Sequence, residues 1–454
     1  MQTRKDHVHA YQTLVGRMSA ALLLGDTNYG EPPARRAVTG VIFGLVLGLL
    51  IGVAFWVYGL INPGGNTAWR KPGVILVEKE SGARYVYQRG LLVPVLNHAS
   101  AMLVQGQGST VETITRASLA ELDRGRPVGI PNAPDSVPGP GSLVTGSWLL
   151  CLPRTGGTEG GSLSMNLSPE AESTPIGERE YLWVAAASGE QYLVWGQQKL
   201  RLADATVAIA LGLGAGTPPV AAAAWLAALP EGPPIGAATI PGAGGGGTSV
   251  GGVHRAVGTV FRHAVGNGAE NLLVLRGDGL APLSRTEVAL LRARGGSAAV
   301  EVDAAAIAAA PRSADNSLTT RIPDLLMMKP ITGGERAFCL RQETSGARIA
   351  SQVVTAERRM AWTGMTEQTG AYLKPGTGLL AAAVPAPAKA GVKPDRYLIT
   401  DRGFKYRLAD DEAIQALGFG GITPRPVAAE VLAALPSGPV LSRAEVGVSQ
   451  RGTG

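Results

Sequence analysis

The sequence predicts an α+β protein in which an amphipathic helix and one transmembrane helix precede a large domain of four small α/β repeats around a β-rich central domain. Three observations predict this arrangement. No charged residue occurs between Arg36 and Arg70. Blocks of identical residues recur after a fixed interval in the second half of the chain. The only two cysteines, Cys151 and Cys339, fall outside the recurring blocks.

An apolar stripe marks the first predicted helix. Tyr11, Leu14, Val15, Met18 and Leu22 follow the i, i+3, i+4, i+7, i+11 spacing of one helical face. A lone helix of this length is not stable in water, so the stripe must lie against another surface. Two hypotheses fit: a helix on the membrane surface, and a helix in the groove of a partner protein. Because few basic residues accompany the stripe, we favour the partner and predict these five residues as its binding face.

The uncharged run contains the predicted membrane span. Residues 41–61 are almost wholly apolar, and as a helix of ~1.5 Å per residue they are long enough to cross a hydrocarbon core of ~30 Å. Trp56 and Tyr58 lie near the far end, where amphipathic rings favour the membrane interface. We therefore predict a single transmembrane helix over residues 40–61.

The charges that flank the span predict its orientation. Arg35 and Arg36 stand at its near edge, whereas Arg70 and Lys71 follow only after a neutral linker. The positive-inside rule then places the N-terminus in the cytoplasm and the C-terminal domain outside the inner (plasma) membrane. A cleaved signal peptide is the alternative, but the polar head is long, the apolar run exceeds an h-region, and no small-x-small cleavage site follows.

Two blocks in the C-terminal half reveal an internal repeat. Arg-Leu-Ala-Asp at 201–204 recurs at 407–410, and Leu-Ala-Ala-Leu-Pro at 226–230 recurs at 432–436. Weaker copies of the same pattern occur at 118–127 and 283–311. Identity at one offset over several blocks indicates four related units.

Each repeat is predicted to contain short strands and two small helices. In the last repeat, a helix over 411–417 ends at Gly418, a favoured helix-ending residue, and a second helix over 427–435 ends at Pro436. Units of this size bury too little apolar surface to be stable alone, so they are expected to pack on neighbours or on a central module.

The segments between the repeats predict that central module. Residues 147–152 and 337–340 are apolar runs typical of buried strands, and each contains one cysteine. In an oxidising compartment Cys151 and Cys339 are expected to form a disulfide that joins the two segments. Two separate buried thiols remain the alternative.

The predicted domain boundaries follow from these patterns. They are a cytoplasmic head (1–39), the transmembrane helix (40–61), a linker (62–73), repeat 1 (74–138), the first part of the central domain (139–190), repeat 2 (191–242), a flexible glycine-rich loop and connector (243–270), repeat 3 (271–316), the second part of the central domain (317–394), repeat 4 (395–442) and a tail (443–454).

Together these features resemble EccB, the single-span component of actinobacterial type VII (ESX) secretion systems. The resemblance rests on Tyr11 and the apolar residues after it, the Arg35-Arg36 entry to the span, the Trp-Arg-Lys-Pro-Gly exit at 69–73, the four repeats and the cysteine pair. It implies a structural subunit that supports export of small helical proteins. Its implied partners are an FtsK/SpoIIIE-type ATPase, a polytopic channel protein, a subtilisin-like mycosin protease, further copies of itself and the lipid bilayer.

No motif in the sequence predicts a catalytic, cofactor or metal site. The glycine run at 244–247 lacks the Gly-Lys-Ser/Thr of a phosphate-binding loop. Ser249 follows Gly-Thr as in subtilisin-like proteases, but no matching aspartate or histidine segment accompanies it. His254 and His263 adjoin arginines, and the lone His98 is more typical of a structural role.

The sequence supports the remaining classes of function less well than it supports a structural subunit. His7 and His9 do not share a helical face, so zinc is unsupported, and scattered lysines and arginines predict no nucleic-acid partner. We therefore predict no enzyme activity. The alternatives are a membrane-anchored envelope hydrolase, an independent envelope-binding protein, or a sensor, for which residues 1–40 leave no room for an output domain.

Overall fold

A computed structural model describes residues 4–25, 34–61, 68–152, 162–167, 172–331, 336–361, 369–388 and 392–446. The chain forms two compact parts, which divide between Ala68 and Trp69. The first part contains helices α1 (Arg4–Leu24) and α2 (Ala34–Ile61). Within α2, the segment Ala37–Gly59 is long and apolar enough to cross a membrane.

The second part begins with a four-stranded sheet and two helices, here called unit 1 (74–128). Its elements are β1 (Val74–Glu78), β2 (Arg84–Gln88), β3 (Leu91–Val95), α3 (His98–Gln105), β4 (Thr110–Ile114) and α4 (Arg116–Leu119). The strand order is β3-β2-β1-β4, with β4 parallel to β1 and the other pairs antiparallel. After α4 the chain returns to form parallel bridges along β3 at Leu92 and Val95.

Three more units follow the same plan, interrupted by central strands and a hairpin. The central strands β5 (Trp148–Leu152), β6 (Ser164–Asn166) and β7 (Ser173–Pro175) come first, followed by unit 2 (180–235) with β8 (Glu180–Ala186), β9 (Gln191–Trp195), β10 (Gln198–Arg201), α5 (Ala205–Ala210), β11 (Val220–Ala221) and α6 (Ala223–Ala227). The hairpin strands β12 (Thr248–Val250) and β13 (Val253–Arg255) then precede unit 3 (260–312), which contains β14 (Val260–Gly266), β15 (Ala269–Arg276), β16 (Gly279–Pro282), α7 (Arg285–Ala293), β17 (Val300–Glu301) and α8 (Ala304–Ala309). Strands β18 (Lys329–Ile331), β19 (Arg336–Ser345), β20 (Arg348–Glu357) and β21 (Gly370–Tyr372) lead to unit 4 (378–441), which contains β22 (Gly378–Val384), β23 (Arg396–Thr400), β24 (Lys405–Leu408), α9 (Asp411–Ala416), β25 (Arg425–Ala428) and α10 (Ala429–Ala434) and is followed by α11 (Arg443–Val446).

Units 2 and 4 share local structure because the repeated residues make the same contacts in both units. Asp204 and Asp410 cap α5 and α9, each accepting a backbone N–H of the first turn, at 2.9 and 2.7 Å. Gly212 and Gly418 follow the same helices with φ of 74° and 85°, the left-handed region that favours glycine.

The correspondence extends to a lysine on the third strand of each unit. Lys199 Nζ donates to the carbonyl oxygen of Leu226 at 3.0 Å, and Lys405 Nζ donates to that of Leu432. Each lysine thereby holds the last turn of the unit's second helix against the sheet. The two lysines are separated by the same interval as the repeated blocks.

The units pack in pairs, and each pair shares a core. Helix α3 of unit 1 packs on α9 of unit 4, with Leu103 and Phe419 in a common cluster. Helix α5 of unit 2 packs on α7 of unit 3, with Val207 and Leu290 in a second cluster. We call these pairs lobe 1/4 and lobe 2/3.

A six-stranded central sheet connects the lobes. Its order is β21-β6-β5-β19-β20-β7, so strands from residues 148–175 and 336–372 are interleaved in one sheet. The inner four strands are antiparallel and symmetric about the β5–β19 pair, whereas β21 runs parallel to β6 and β7 runs antiparallel to β20. Trp225 of α6 and Val431 of α10 pack on one face of this sheet, so units 2 and 4 share the central core.

The structure differs from the sequence-based expectation at three places. The sheets of units 2, 3 and 4 begin one strand before the predicted repeat starts at 191, 271 and 395. Strand β22 reads Gly-Leu-Leu-Ala-Ala-Ala-Val, a composition with low strand propensity, and its burial between β23 and β25 decides its conformation. Within the helix expected over 427–435, the first two residues belong to β25, because Val427 and Ala428 pair with β22.

The third difference concerns the glycine-rich segment, which was expected to be a flexible loop over 243–270. Residues 248–255 form the hairpin β12–β13, and β14 starts at Val260. Gly247 explains part of the composition, because a Cβ there would stand 2.1 Å from the carbonyl oxygen of Arg255. Gly247 therefore allows two backbone segments to approach closely, and it does not indicate a flexible loop.

Candidate functional site

The predicted partner-binding stripe lies on α1. Tyr11, Leu14, Val15, Met18 and Leu22 are between 47% and 84% exposed within the described part of the chain. The structure thus places all five residues on one helix and leaves their apolar side chains uncovered. Apolar side chains in such a row gain stability when another apolar surface covers them.

The predicted topology determinants lie at the start of α2. Arg35 and Arg36 occupy its first turn, immediately before the apolar segment Ala37–Gly59. The predicted span at 40–61 lies within the same helix. Trp56 and Tyr58 stand close to its C-terminal end.

The two cysteines form a disulfide in the central sheet. Cys151 on β5 and Cys339 on β19 are directly opposite each other in the antiparallel register, with Sγ–Sγ of 2.05 Å. Both are fully buried and pack with Leu149, Val354 and Ala356. The bond joins positions 188 residues apart, and in the chain-entropy model closing so long a loop stabilises the fold by about 5 kcal/mol.

Lobe 1/4 is joined by hydrogen bonds that involve no buried carboxylate. Asn97 caps α3 by accepting the backbone N–H of Ser100 at 3.0 Å, and its amide donates to Ile130 O at 2.7 Å. Ser100 Oγ accepts the Ile130 backbone N–H at 2.9 Å. From the C-terminal helix α11, Arg443 Nε donates to Leu103 O at 3.0 Å. The loop after unit 1 and the end of unit 4 are therefore both attached to α3.

Lobe 1/4 also carries an open depression of about 830 Å³. Leu96 and Phe404 face it with 50% and 42% exposure. Asp135 on its rim pairs with Arg84 at 3.2 Å, and burial together with the Arg84 charge lowers the pKa of the neighbouring His98. The lining is Leu96, Asn97, Pro131, Asn132, Ala133, Asp135, Arg402, Phe404, Tyr406, Ser437, Gly438 and Pro439.

Lobe 2/3 is joined through a buried carboxylate. Glu287, on the first turn of α7, has a fully buried side chain. Its Oε1 accepts a hydrogen bond from Arg321 Nε at 2.9 Å and lies 2.7 Å from Arg321 Nη2 in an ion pair. Arg321 Nη2 also donates to Gly236 O at 2.7 Å. Sequence reasoning missed this pair. The Ser-x-x-Glu pattern at 284–287 is typical of a capping box, but here the carboxylate turns to Arg321 instead.

The residues weighed as hydrolytic groups are not assembled into a triad among the described residues. Ser249 and His254 are opposite each other in the hairpin β12–β13, both exposed, and no carboxylate is bonded to His254. His263 Nδ1 lies 3.0 Å from Val302 O. Across the described ranges no group of three or more His, Cys, Asp or Glu side chains is placed to hold a metal ion.

Comparison with known families gives one match over nearly the whole chain. The family described as type VII secretion system ESX-1, transport TM domain B, matches residues 1–453. An ESX-5 secretion system ATPase EccB5 of Mycobacterium tuberculosis (strain ATCC 25618 / H37Rv) is 27% identical over 475 residues, covering 97% of this chain and 92% of that protein. An ESX-3 secretion system ATPase EccB3 of the same strain is 28% identical over 252 residues, covering 53% of this chain and 46% of that protein, less than half its length.

Solved structures show the same fold. A chain in an intact ESX-5 inner membrane complex matches with a TM-score of 0.59 at 24% identity, covering 98% of this chain and 95% of that chain. A chain in the EccB3 dimer from an ESX-3 core complex matches with a TM-score of 0.57 at 24% identity, covering 82% and 99%.

Proposed function

Since this chain belongs to the type VII secretion EccB family, we propose that it is a structural subunit of a type VII (ESX) secretion complex in the inner membrane. The observation that carries the proposal is the family match over residues 1–453. It includes the apolar head helix, the membrane helix and the four-unit domain, so the whole architecture is shared and not one module of it.

The proposed mechanism is scaffolding. Helix α1 docks in the cytoplasm through Tyr11, Leu14, Val15, Met18 and Leu22, and α2 crosses the membrane. Arg35 and Arg36 keep the N-terminal end of α2 in the cytoplasm by the positive-inside rule. The four-unit domain then stands outside the membrane, where the Cys151–Cys339 disulfide is stable against reduction.

The proposed partners follow from the family. On the cytoplasmic side they are an FtsK/SpoIIIE-type ATPase and a polytopic channel protein; outside they are a subtilisin-like mycosin protease and a second copy of this chain. A dimer of a related protein, EccB3, supports self-association. The complex would support export of small helical proteins.

We further propose that this chain is not itself an enzyme, although its relatives carry the word ATPase in their names. The glycine run at 244–247 is followed by Thr-Ser-Val and has no lysine to contact phosphates. Its last glycine packs against a backbone carbonyl oxygen, that of Arg255, rather than forming an open loop. Purified chain without partners is expected to hydrolyse no ATP above a no-protein control.

The test is affinity purification of the tagged full-length chain from its native membrane in mild detergent, with mass-spectrometric identification of partners. We expect the ATPase and the polytopic protein in stoichiometric amounts. Recovery of the chain alone, with those partners shown to be expressed, would contradict the proposal and favour an independent envelope protein.

Charged variants test the docking stripe. Leu14→Asp or Met18→Asp is expected to reduce recovery of the cytoplasmic partners about tenfold or more, because a carboxylate must then be desolvated in an apolar groove. Thr13→Asp, which adds the same charge on the opposite side of α1, is the matched control and should retain them. Equal recovery with all three variants would indicate that the stripe lies on the membrane instead.

A further inference from the structure

Glu287 is the fully buried carboxylate of lobe 2/3, and its two oxygens differ. Oε1 accepts a hydrogen bond from Arg321 Nε and forms an ion pair with Arg321 Nη2. Oε2 is buried and has no hydrogen-bond partner among the described residues. The Ala238 backbone N–H faces the carboxylate and lowers its pKa less than Arg321 does. An unpartnered buried oxygen on a charged group is costly, and a proton placed on it replaces that cost with the smaller one of a buried neutral hydroxyl.

The pair stands where three chain segments meet. Glu287 belongs to α7 of unit 3, Arg321 to the segment that follows unit 3, and Gly236 to the end of unit 2. Arg321 bonds to both of the others, so one guanidinium links α7 of unit 3 to the end of unit 2 beside their shared apolar core. We call Glu287, Arg321 and Gly236 the Glu287 joint.

The equivalent position in lobe 1/4 is neutral. Ser100 is the third residue of α3, as Glu287 is of α7, and its hydroxyl accepts a backbone N–H at 2.9 Å. Gly236 follows Ile235, which bridges to the third strand region of unit 2 at Leu202. Ser442 holds the corresponding position in unit 4, because it follows Leu441, which bridges to Leu408. The fold therefore forms this junction without a charge in one lobe and with a buried charge in the other.

Arg321 is the charged group that acts on Glu287. Helix α5 and residues 236–240, which pack near α7, contain no ionisable side chain. Arg285 at the start of α7 pairs with Glu270 at 3.1 Å, and Asp324 accepts hydrogen bonds from the N-terminal turn of α7. The other charges of these elements are exposed or paired elsewhere: Arg292 and Arg294 at the far end of α7, and Arg276 on β15 with Asp315.

We propose that the Glu287 joint is an acid-responsive contact: as pH falls, a proton from solvent binds Glu287 Oε2 and the packing of unit 2 on unit 3 tightens, while the junction of lobe 1/4, which has no buried carboxylate, does not tighten. Protonation leaves Oε1 free to accept from Arg321. It adds a neutral O–H where an unpartnered anionic oxygen stood.

The direction of the response follows from linkage. Burial raises the pKa of Glu287 above its ordinary value of 4.5, against the opposing effect of Arg321. Opening the joint returns the carboxyl to water and to that ordinary pKa. The closed joint thus binds the proton more tightly, so its extra stability is complete below the ordinary pKa and is lost as pH rises through the raised one.

Hydrogen exchange of the full-length chain in detergent tests the proposal. After correction for the intrinsic pH dependence of exchange, amides of α7 and residues 317–325 should exchange about threefold or more slowly at ~pH 5.5 than at ~pH 7.5. Amides of α3, which begins at His98, should not exchange more slowly in acid, because burial lowers the pKa of that histidine and protonation therefore disfavours the packed helix. An equal response in both lobes, or faster exchange of α7 in acid, would overturn the proposal.

Variants identify the group that titrates. Glu287→Gln should abolish the difference between the two pH values, whereas Glu270→Gln, which removes a partly exposed ion-paired carboxylate of the same lobe, should retain it. If Glu287→Gln does not fold, Arg321→Lys is the second variant. It keeps the positive charge but loses the two-nitrogen contact, so the midpoint should move to higher pH. A full response in Glu287→Gln, or an unmoved midpoint in Arg321→Lys, would overturn the assignment.

Discussion

Lobe 1/4 and lobe 2/3 are assembled from units of the same topology, but different chemistry joins them. In lobe 1/4 a serine and an asparagine connect α3 to the loop at Ile130 through neutral hydrogen bonds. In lobe 2/3 a buried ion pair occupies the same position. The difference teaches that topology specifies the junction while local side chains decide how it responds to solvent conditions, because a buried carboxylate can bind a proton as pH falls and a hydroxyl or an amide cannot.

The lobes also differ in what they leave exposed. Lobe 1/4 has the depression that Leu96 and Phe404 face. Its charged rim is compensated in part by the Arg84–Asp135 pair. A buried ion pair is weak evidence for added stability, since desolvation offsets much of its attraction, so lobe 2/3 need not be the more stable lobe.

Removing the disulfide should affect the two lobes equally and is expected to have the largest effect. The double variant Cys151→Ala, Cys339→Ala loses about 5 kcal/mol of unfolding free energy in the chain-entropy model. Because the bond lies between the two middle strands of the central sheet, hydrogen exchange should increase alike in α3 and α7. Faster hydrogen exchange in only one lobe would contradict the conclusion that the disulfide stabilises both lobes through the central sheet.

Breaking the ion pair of lobe 2/3 should cost more unfolding free energy than breaking the corresponding hydrogen bond of lobe 1/4. Arg321→Ala leaves Glu287 buried without its cation, and is expected to cost about 3–5 kcal/mol. Ser100→Ala, at the equivalent junction of lobe 1/4, leaves one buried N–H unpaired and should cost about 1–3 kcal/mol. Denaturant unfolding of the full chain measures both. A Ser100→Ala cost equal to or above that of Arg321→Ala would refute the distinction.

A matched glycine pair provides a smaller test. Gly438 in lobe 1/4 and Gly232 in lobe 2/3 occupy equivalent positions, but an added Cβ meets the ring of Tyr406 at 2.1 Å in one and the terminal methyl of Leu200 at 2.4 Å in the other. The buried ring cannot move aside as readily as a methyl group. Gly438→Ala is therefore expected to cost about 1–3 kcal/mol and Gly232→Ala less, measured by thermal unfolding.

The sequence was informative where local chemistry decides structure. The uncharged run predicted the helix that contains Ala37–Gly59. The blocks at 201–204 and 407–410 indicated two related units because Asp204 and Asp410 cap helices in any context that places them before a helix. The family resemblance was confirmed by the match over residues 1–453. The stripe on α1 and the domain boundaries remain predictions.

Long-range features were beyond the reach of sequence patterns. The Glu287–Arg321 pair joins residues 34 positions apart, and no sequence pattern connects them. The glycine-rich segment looked flexible by composition, whereas its glycines permit a close backbone approach that only the folded partner strand reveals.

By itself, then, the sequence determined the membrane helix, the relation between units 2 and 4, and the pair of cysteines placed to join two distant segments. These depend on hydrophobicity, helix caps and residue identity, which are local properties. Only the tertiary structure decided that unit 1 packs on unit 4 and unit 2 on unit 3, that β22 is a strand despite its alanines, and that strands from the two central segments interleave in one sheet. Those outcomes depend on which apolar faces meet and which strands find partners, and such choices are made between residues far apart in the chain.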